Sequence, residues 1–174
     1  MLAIGRALGL SKPLRLLVLS DTHCNSLEEL PGRLLREMEG ADMILHAGDY
    51  TGLPLARALA QRPNFRGVYG NLDGPEVRAL VKPSLLLELQ GYRIGLCHPY
   101  EGGPPQEAVQ RALRALGKKP DLLIHGHTHV PVFERRQGLW VLNPGSATGA
   151  WPATKRTYAL LSLGNELSCE LVEL

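Results

Sequence analysis

Five short apolar runs in this chain each break off on aspartate, asparagine or histidine. Leu14–Leu19 runs into Ser20-Asp21-Thr22-His23, and Met43–Ala47 into Gly48-Asp49. A strand over Arg66–Tyr69 runs into Gly70-Asn71-Leu72-Asp73, and Arg93–Cys97 into His98. Asp121–Ile124 runs into His125-Gly126-His127-Thr128-His129. A continuous apolar run of this length suits a strand buried on both faces. In open α/β sheets the carboxyl ends of the strands converge on one crevice. Five such ends bring two Asp, one Asn and four His to one place.

The segments between them fix the fold class. Leu27, Leu30, Leu34 and Met38 recur near helical spacing, which predicts one helix over Leu27–Glu39 before Gly40. A second helix is expected over Pro54–Gln61, with Pro54 in its first turn. Strand, helix, strand, helix, strand in that order predicts a parallel sheet. Further on, Leu85–Leu89 and Arg93–Cys97 flank Gln90-Gly91, Val132–Arg135 and Leu139–Leu142 flank Gln137-Gly138, and Tyr158–Leu163 and Leu167–Val172 flank Gly164-Asn165. These read as hairpins, so the second half is expected to be mainly antiparallel, with a helix over Gln106–Leu116. The expectation is an α/β chain of two packed mixed β-sheets flanked by helices. Residues 1–13 read as an N-terminal extension and 14–174 as one domain.

The donor set suits divalent metals. Neutral imidazole and carboxylate oxygen bind Zn, Mn, Fe, Ni or Co without thiolate. Seven ligands, Asp21, His23, Asp49, Asn71, His98, His127 and His129, are too many for one tetrahedral site and fit two adjacent ions. In an extended segment Asp21 and His23 would point to one side, with Thr22 turned away, and likewise His127 and His129.

Together, Asp21-x-His23, Gly48-Asp49, Gly70-Asn71-x-Asp73, His98 and Gly126-His127-x-His129 resemble the calcineurin-like metallophosphoesterase superfamily. The short length and Asn143-Pro144-Gly145-Ser146 are similar to its small bacterial and archaeal phosphodiesterase branch. The resemblance implies that one metal takes Asp21, His23, Asp49 and His129, and the other Asp49, Asn71, His98 and His127, with Asp49 bridging. It implies catalytic parts for Asn71 and His98, and for Asp73 a part in orienting a ligand. The implied cofactor is two divalent ions, manganese first, with Ni, Zn or Fe as alternatives. A hydroxide shared by the two would attack phosphorus in line with the leaving oxygen.

Two positions depart from the family pattern. Many members carry a leaving-group-assisting histidine where this chain has Leu72, which has no proton to give; acidic leaving groups are therefore expected. Pro99 follows His98 and biases it towards extended backbone. His46 and His125 read as buried residues rather than ligands, and Tyr50 and Trp151 as packing residues that could otherwise stack on a nucleoside. Lys155-Arg156 reads as a solvated pair, and Glu101–Pro105 as a surface loop.

Composition narrows the partners. In 174 residues, 44% are hydrophobic, 21% are charged and the formal net charge is +2, which gives no electrostatic case for a nucleic-acid or membrane partner. The odd set Cys24, Cys97 and Cys169 lacks a CxxC and suits a reducing, cytoplasmic setting. The expected partner is a small phosphodiester or nucleotide-like substrate, with a homodimer as the assembly prior. A nucleotide phosphatase and a non-catalytic protein-binding scaffold are the alternative functions.

Overall fold

A computed structural model describes residues 12–99 and 104–174. The expected extension at 1–13 therefore lies almost wholly outside the described residues, as do the first three residues of the loop at 101–105.

Strand β1 (Leu14–Leu19) shows why its sequence is apolar on both faces. Leu17 and Leu19 pack against Leu34 and Met38 of α1 (Gly32–Gly40) and Leu55 and Leu59 of α2 (Leu53–Ala60). Leu16 and Val18 point the other way, into a cluster with Ile94, Leu96, Leu122 and Ile124 of the second sheet. Alternate residues of a strand face opposite layers, so a strand between two apolar layers has no polar face. A third cluster joins Cys97, Leu123 and Val141 to Ala112 of α4 (Ala108–Leu116). The order of layers is thus helices, sheet, sheet, helix.

In the first sheet β1 lies beside β2 (Met43–His46), then β3 (Phe65–Gly67), and on its other side β9 (Thr157–Leu163) and β10 (Leu167–Glu173). Strands β1, β2 and β3 are parallel, with Leu17 opposite Ile44 and Leu45 opposite Arg66. The second sheet runs β4 (Ser84–Leu89), β5 (Tyr92–Cys97), β6 (Leu122–His125), β8 (Leu139–Asn143), β7 (Val132–Arg136). The two tight turns of this sheet are made by Gln90-Gly91 (φ 48° and 78°) and Gln137-Gly138 (φ 48° and 82°). Paired positive φ values match the right-handed twist of hairpin strands.

Three expectations need refinement. The second half is mainly antiparallel as expected, through the β4–β5, β7–β8 and β9–β10 hairpins and the β1–β9 pair, but β5, β6 and β8 run parallel to one another. Helix α4 supplies the long crossover that a parallel β5–β6 pair requires. The helix expected over Leu27–Glu39 is two pieces, a 3-10 turn at Leu27–Glu29 and then α1. Pro31 has no N–H to continue the first piece, and Leu30 before it is extended, φ −74°, ψ 144°. A short helix α3 (Pro75–Arg78) was not anticipated.

Candidate metal centre

Strands β1, β2, β5 and β6 end at one edge of the two sheets, and the residues that follow them meet there. All seven expected ligands are brought together. His129 Nε2 lies 3.2 Å from Asp21 Oδ1, and His23 Nε2 lies 4.0 Å from the same oxygen. Asp49 Oδ2 lies 3.9 Å from His23 Nε2 and 3.4 Å from His98 Nε2. Asn71 Oδ1 lies 3.1 Å from His98 Nε2 and 3.1 Å from His127 Nδ1. One oxygen of Asp49 thus faces both groups.

The backbone there is not extended. Asp21 (φ 50°), His23 (42°), Asp49 (58°), His127 (78°) and His129 (58°) are left-handed. Such residues cost on the order of 1–3 kcal/mol each and persist only where surroundings impose them. Here the loops after β1 and β2 zip together, with Asp21 N–H on Gly48 O (2.9 Å), His23 N–H on Asp49 O (3.1 Å) and Cys24 N–H on Tyr50 O (3.1 Å). Asp21 and His23 share a target as expected, through this paired turn rather than through strand alternation. Thr22 does turn away, and its hydroxyl meets His46 Nε2 at 3.0 Å.

The hydrogen bonds fix which ring nitrogens carry lone pairs. His98 Nδ1 donates to Ala47 O (2.7 Å) and His129 Nδ1 to Ala150 O (2.9 Å). In a neutral imidazole the other nitrogen is then bare. Each bare Nε2 points at a carboxylate or amide oxygen, so acceptors face acceptors. His23 Nε2 is buried and has no hydrogen-bond partner among the described residues. Lone pairs converging without a donor are satisfied by a cation, and these residue types fit divalent ones. Among the described residues two clusters can do so, Asp21 with His23 and His129, and Asp21 with Asp49 and His98. Asn71 and His127 extend the second.

Without a cation the same geometry distorts titration. Burial pushes His23 and His127 down, partly offset by nearby carboxylates. Burial also disfavours charge on His129, but the Asp21 carboxylate, the Ala150 carbonyl and Asp49 together outweigh it and raise the group. Burial likewise opposes the Asp21 carboxylate, yet His129, His98 and the Ser20 hydroxyl hold it below the usual range. Burial raises Asp49, with Asp21 and Asp73 adding repulsion.

Asp73 does not face the cluster. Its Oδ2 accepts the N–H of Asp49 (2.9 Å) and Gly70 (2.8 Å), and its Oδ1 those of Tyr50 (2.8 Å) and Thr51 (2.9 Å). The carboxylate ties the turn after β2 to the turn after β3. Leu72 N–H donates to Asp49 Oδ1 at 2.8 Å, leaving Oδ2 turned inward. Asn143-Pro144-Gly145-Ser146 is a brace as well as a turn. Asn143 Nδ2 donates to Thr128 Oγ1 (2.9 Å), and Ser146 Oγ to Asp21 O (2.7 Å).

Sequence reasoning missed Arg78. Its Nε donates to Asp73 O (2.7 Å), its guanidinium to Asn71 O (3.2 Å), and it stacks 5.0 Å over Tyr69. A single arginine in an unremarked helical turn carries no signal of its own. The expected bystanders stay out of the cluster. His46 is fully buried against Tyr50 (3.8 Å between ring centres) and donates to Thr22 while accepting Gly48 N–H. His125 donates Nδ1–H to Gly126 O (3.0 Å). Cys24 and Cys97 are buried, their thiols pushed up to about 11 and about 12 by burial. Lys155 is exposed and pairs with Glu173. Trp151 is the exception to the expected packing, because it is 90% exposed.

Residues 14–166 match the family model described as calcineurin-like phosphoesterase superfamily domain. The chain belongs to this superfamily. It is 32% identical over 163 residues to a probable metallophosphoesterase of Methanothermobacter thermautotrophicus, across 89% of this chain and 90% of that one. It is 25% identical over 148 residues to a phosphodiesterase of Methanocaldococcus jannaschii, across 76% of this chain and 83% of that one. The solution structure of a Thermotoga maritima protein superposes with a TM-score of 0.71 at 32% identity, covering 92% of this chain and 99% of that one. Calcineurin-like proteins of this kind are metal-dependent, which agrees with a cluster of converging lone pairs. Among the described residues no helix is long and apolar enough to cross a membrane.

Proposed function

We propose that the chain is a phosphodiesterase working with two divalent cations, manganese the first to test, on small phosphodiester or nucleotide-like substrates. Residues 14–174 act as its single catalytic domain. The observation that carries this is the facing of His98 and His129 Nε2, both left bare by Nδ1–H bonds to backbone carbonyls, towards Asp49, Asn71 and Asp21. One cation would be held by Asp21, His23, Asp49 and His129, the other by Asp49, Asn71, His98 and His127. When bound, such a pair acidifies water towards neutral pH and neutralises phosphoryl oxygens as charge develops.

The chain's own residues set the rest. With Asn71 Oδ1 directed at His98 and His127, its Nδ2 is left to donate to a phosphoryl oxygen. The Ala47 carbonyl holds the His98 ring, and Ala150 that of His129, so neither reorients when substrate arrives. Leu72 stands beside Asn71 and can protonate nothing, so the leaving oxygen departs as an anion and acidic leaving groups are favoured.

The test is metal content of the purified protein, then Mn²⁺-dependent hydrolysis of methyl 4-nitrophenyl phosphate beside a panel of 5′-mononucleotides. Turnover of the diester, lost with chelator and exceeding that of the monoesters, is expected. Faster monoester turnover would favour a nucleotide phosphatase. Protein inert after Mn²⁺, Ni²⁺, Zn²⁺ and Fe²⁺ would favour a binding scaffold.

A further inference from the structure

Among the described residues, the three most exposed large apolar side chains all adjoin the candidate centre. They are Trp151 (90%), Val130 (63%) and Leu72 (59%), whereas the next is Leu80 at 41%. Leu72 follows Asn71 and Val130 follows His129. Trp151 follows Ala150, whose carbonyl holds His129 Nδ1. Isolated exposed apolar residues are ordinary on a protein surface, but a group of them around one crevice marks a contact site.

Their backbones are held in place. Leu72 N–H is bound by Asp49 (2.8 Å) and Val130 N–H by Thr128 Oγ1 (3.4 Å). Ala150 N–H is bound by Ser146 Oγ (3.0 Å), and Ala153 N–H closes a turn on Ala150 O (2.8 Å) with Trp151 at its tip. The indole is therefore presented by a fixed turn. The two ends of the centre differ. Leu72 lies by the Asn71–His98–His127 end, and Trp151, through Ala150, by the Asp21–His23–His129 end. A phosphodiester has two ester arms, and with Leu72 on the leaving side the retained arm meets Trp151. An indole face offers area and quadrupole to a flat ring, and no hydrogen bond to a polar chain.

We propose that Trp151 binds a planar aromatic group, aryl ring or nucleobase, on the retained arm of the substrate. This rests on the phosphodiesterase reading above. The test compares methyl, phenyl and thymidine 5′-esters of 4-nitrophenyl phosphate with Mn²⁺-loaded wild type, Trp151→Ala and Trp151→Phe. In all three substrates the water oxygen bonds to phosphorus, the bond to 4-nitrophenolate breaks, and a proton passes to solvent, so only the retained arm differs. The expected result is a wild-type kcat/KM preference for an aromatic arm over methyl of about tenfold. That preference falls about tenfold in Trp151→Ala, through KM, and is largely kept in Trp151→Phe. Comparing phenyl with thymidine shows whether an aryl ring or a nucleobase is the natural arm. A preference unchanged by Trp151→Ala overturns the proposal, as does an equal loss on all three esters. So does a dimer that Trp151→Ala dissociates while the preference stays, which would give the indole to self-association. No metal-dependent release from even the methyl ester would sink the phosphodiesterase reading itself, and this inference with it.

Discussion

Replacing Asp73 by asparagine tests whether the site is held by its supports as described. The carboxylate accepts four backbone N–H groups at 2.8–2.9 Å, two on each oxygen, in a buried position. Asparagine keeps one acceptor oxygen and puts an NH₂ group where the other was. Two N–H donors then lose their partner and face another donor. A hydrogen bond to a charged group contributes about 1.5–3 kcal/mol, so losing two costs about 3–6 kcal/mol. Whichever way the amide turns, the loss loosens a turn that carries Asp49, either at Asp49 and Gly70 or at Tyr50 and Thr51. Groups that orient ligands typically change metal affinity 10- to 100-fold. Urea unfolding of the metal-free protein should show the stability loss, and calorimetric titration with Mn²⁺ the weaker binding. A variant within about 0.5 kcal/mol of wild type, with unchanged metal affinity, would refute the role given to Asp73.

Three further outcomes are expected. Burial holds His46 at about 3 and His125 at about 4, against about 6.5 in an unfolded chain. Below about 6.5 the unfolded chain takes up protons that the folded chain refuses, so stability falls as pH drops and is intact above about 7. Between pH 7 and pH 5 the metal-free wild type should lose about 2 kcal/mol more than His46→Gln in urea melts, and equal losses would contradict this. A methyl group on Gly70 would overlap Asp49 Oδ1, so Gly70→Ala should weaken Mn²⁺ binding at least tenfold by titration, whereas Gly74→Ala, which meets nothing within 4 Å, should not. Leu72→His should speed hydrolysis most for poor leaving groups, approaching the 10²–10⁴ typical of general acids; a uniform change across a leaving-group series would count against Leu72 as the missing donor.

The strands and the residues gathered at the candidate centre were legible in the sequence for one physical reason. A strand buried on both faces must be apolar throughout, so its end is sharp, and Asp21, Asp49, Asn71, His98 and His127 stand just past such ends. What joins those ends was less legible. The left-handed turns at Asp21 and His23 are imposed by pairing with residues 48–50, a long-range contact that local spacing does not encode. The parallel β5–β6–β8 order depends on where α4 crosses, whereas the sequence displays only tight turns beside it. Pro31 was visible, but the apolar spacing on either side of it masked the break. Arg78 and the brace from Asn143 and Ser146 act through backbone carbonyls and hydroxyls. Large aromatics usually pack, and only the fold shows Trp151 exposed on a turn whose Ala150 carbonyl holds His129.

The central claim is that two divalent cations sit between lone pairs that now face one another. Crystals of Mn²⁺-loaded protein, with anomalous maps at the manganese edge, test it directly. Two peaks are expected, one among Asp21, His23, Asp49 and His129, the other among Asp49, Asn71, His98 and His127. Asp49 Oδ2 would lie between them. A single peak, or peaks away from these residues, would contradict it.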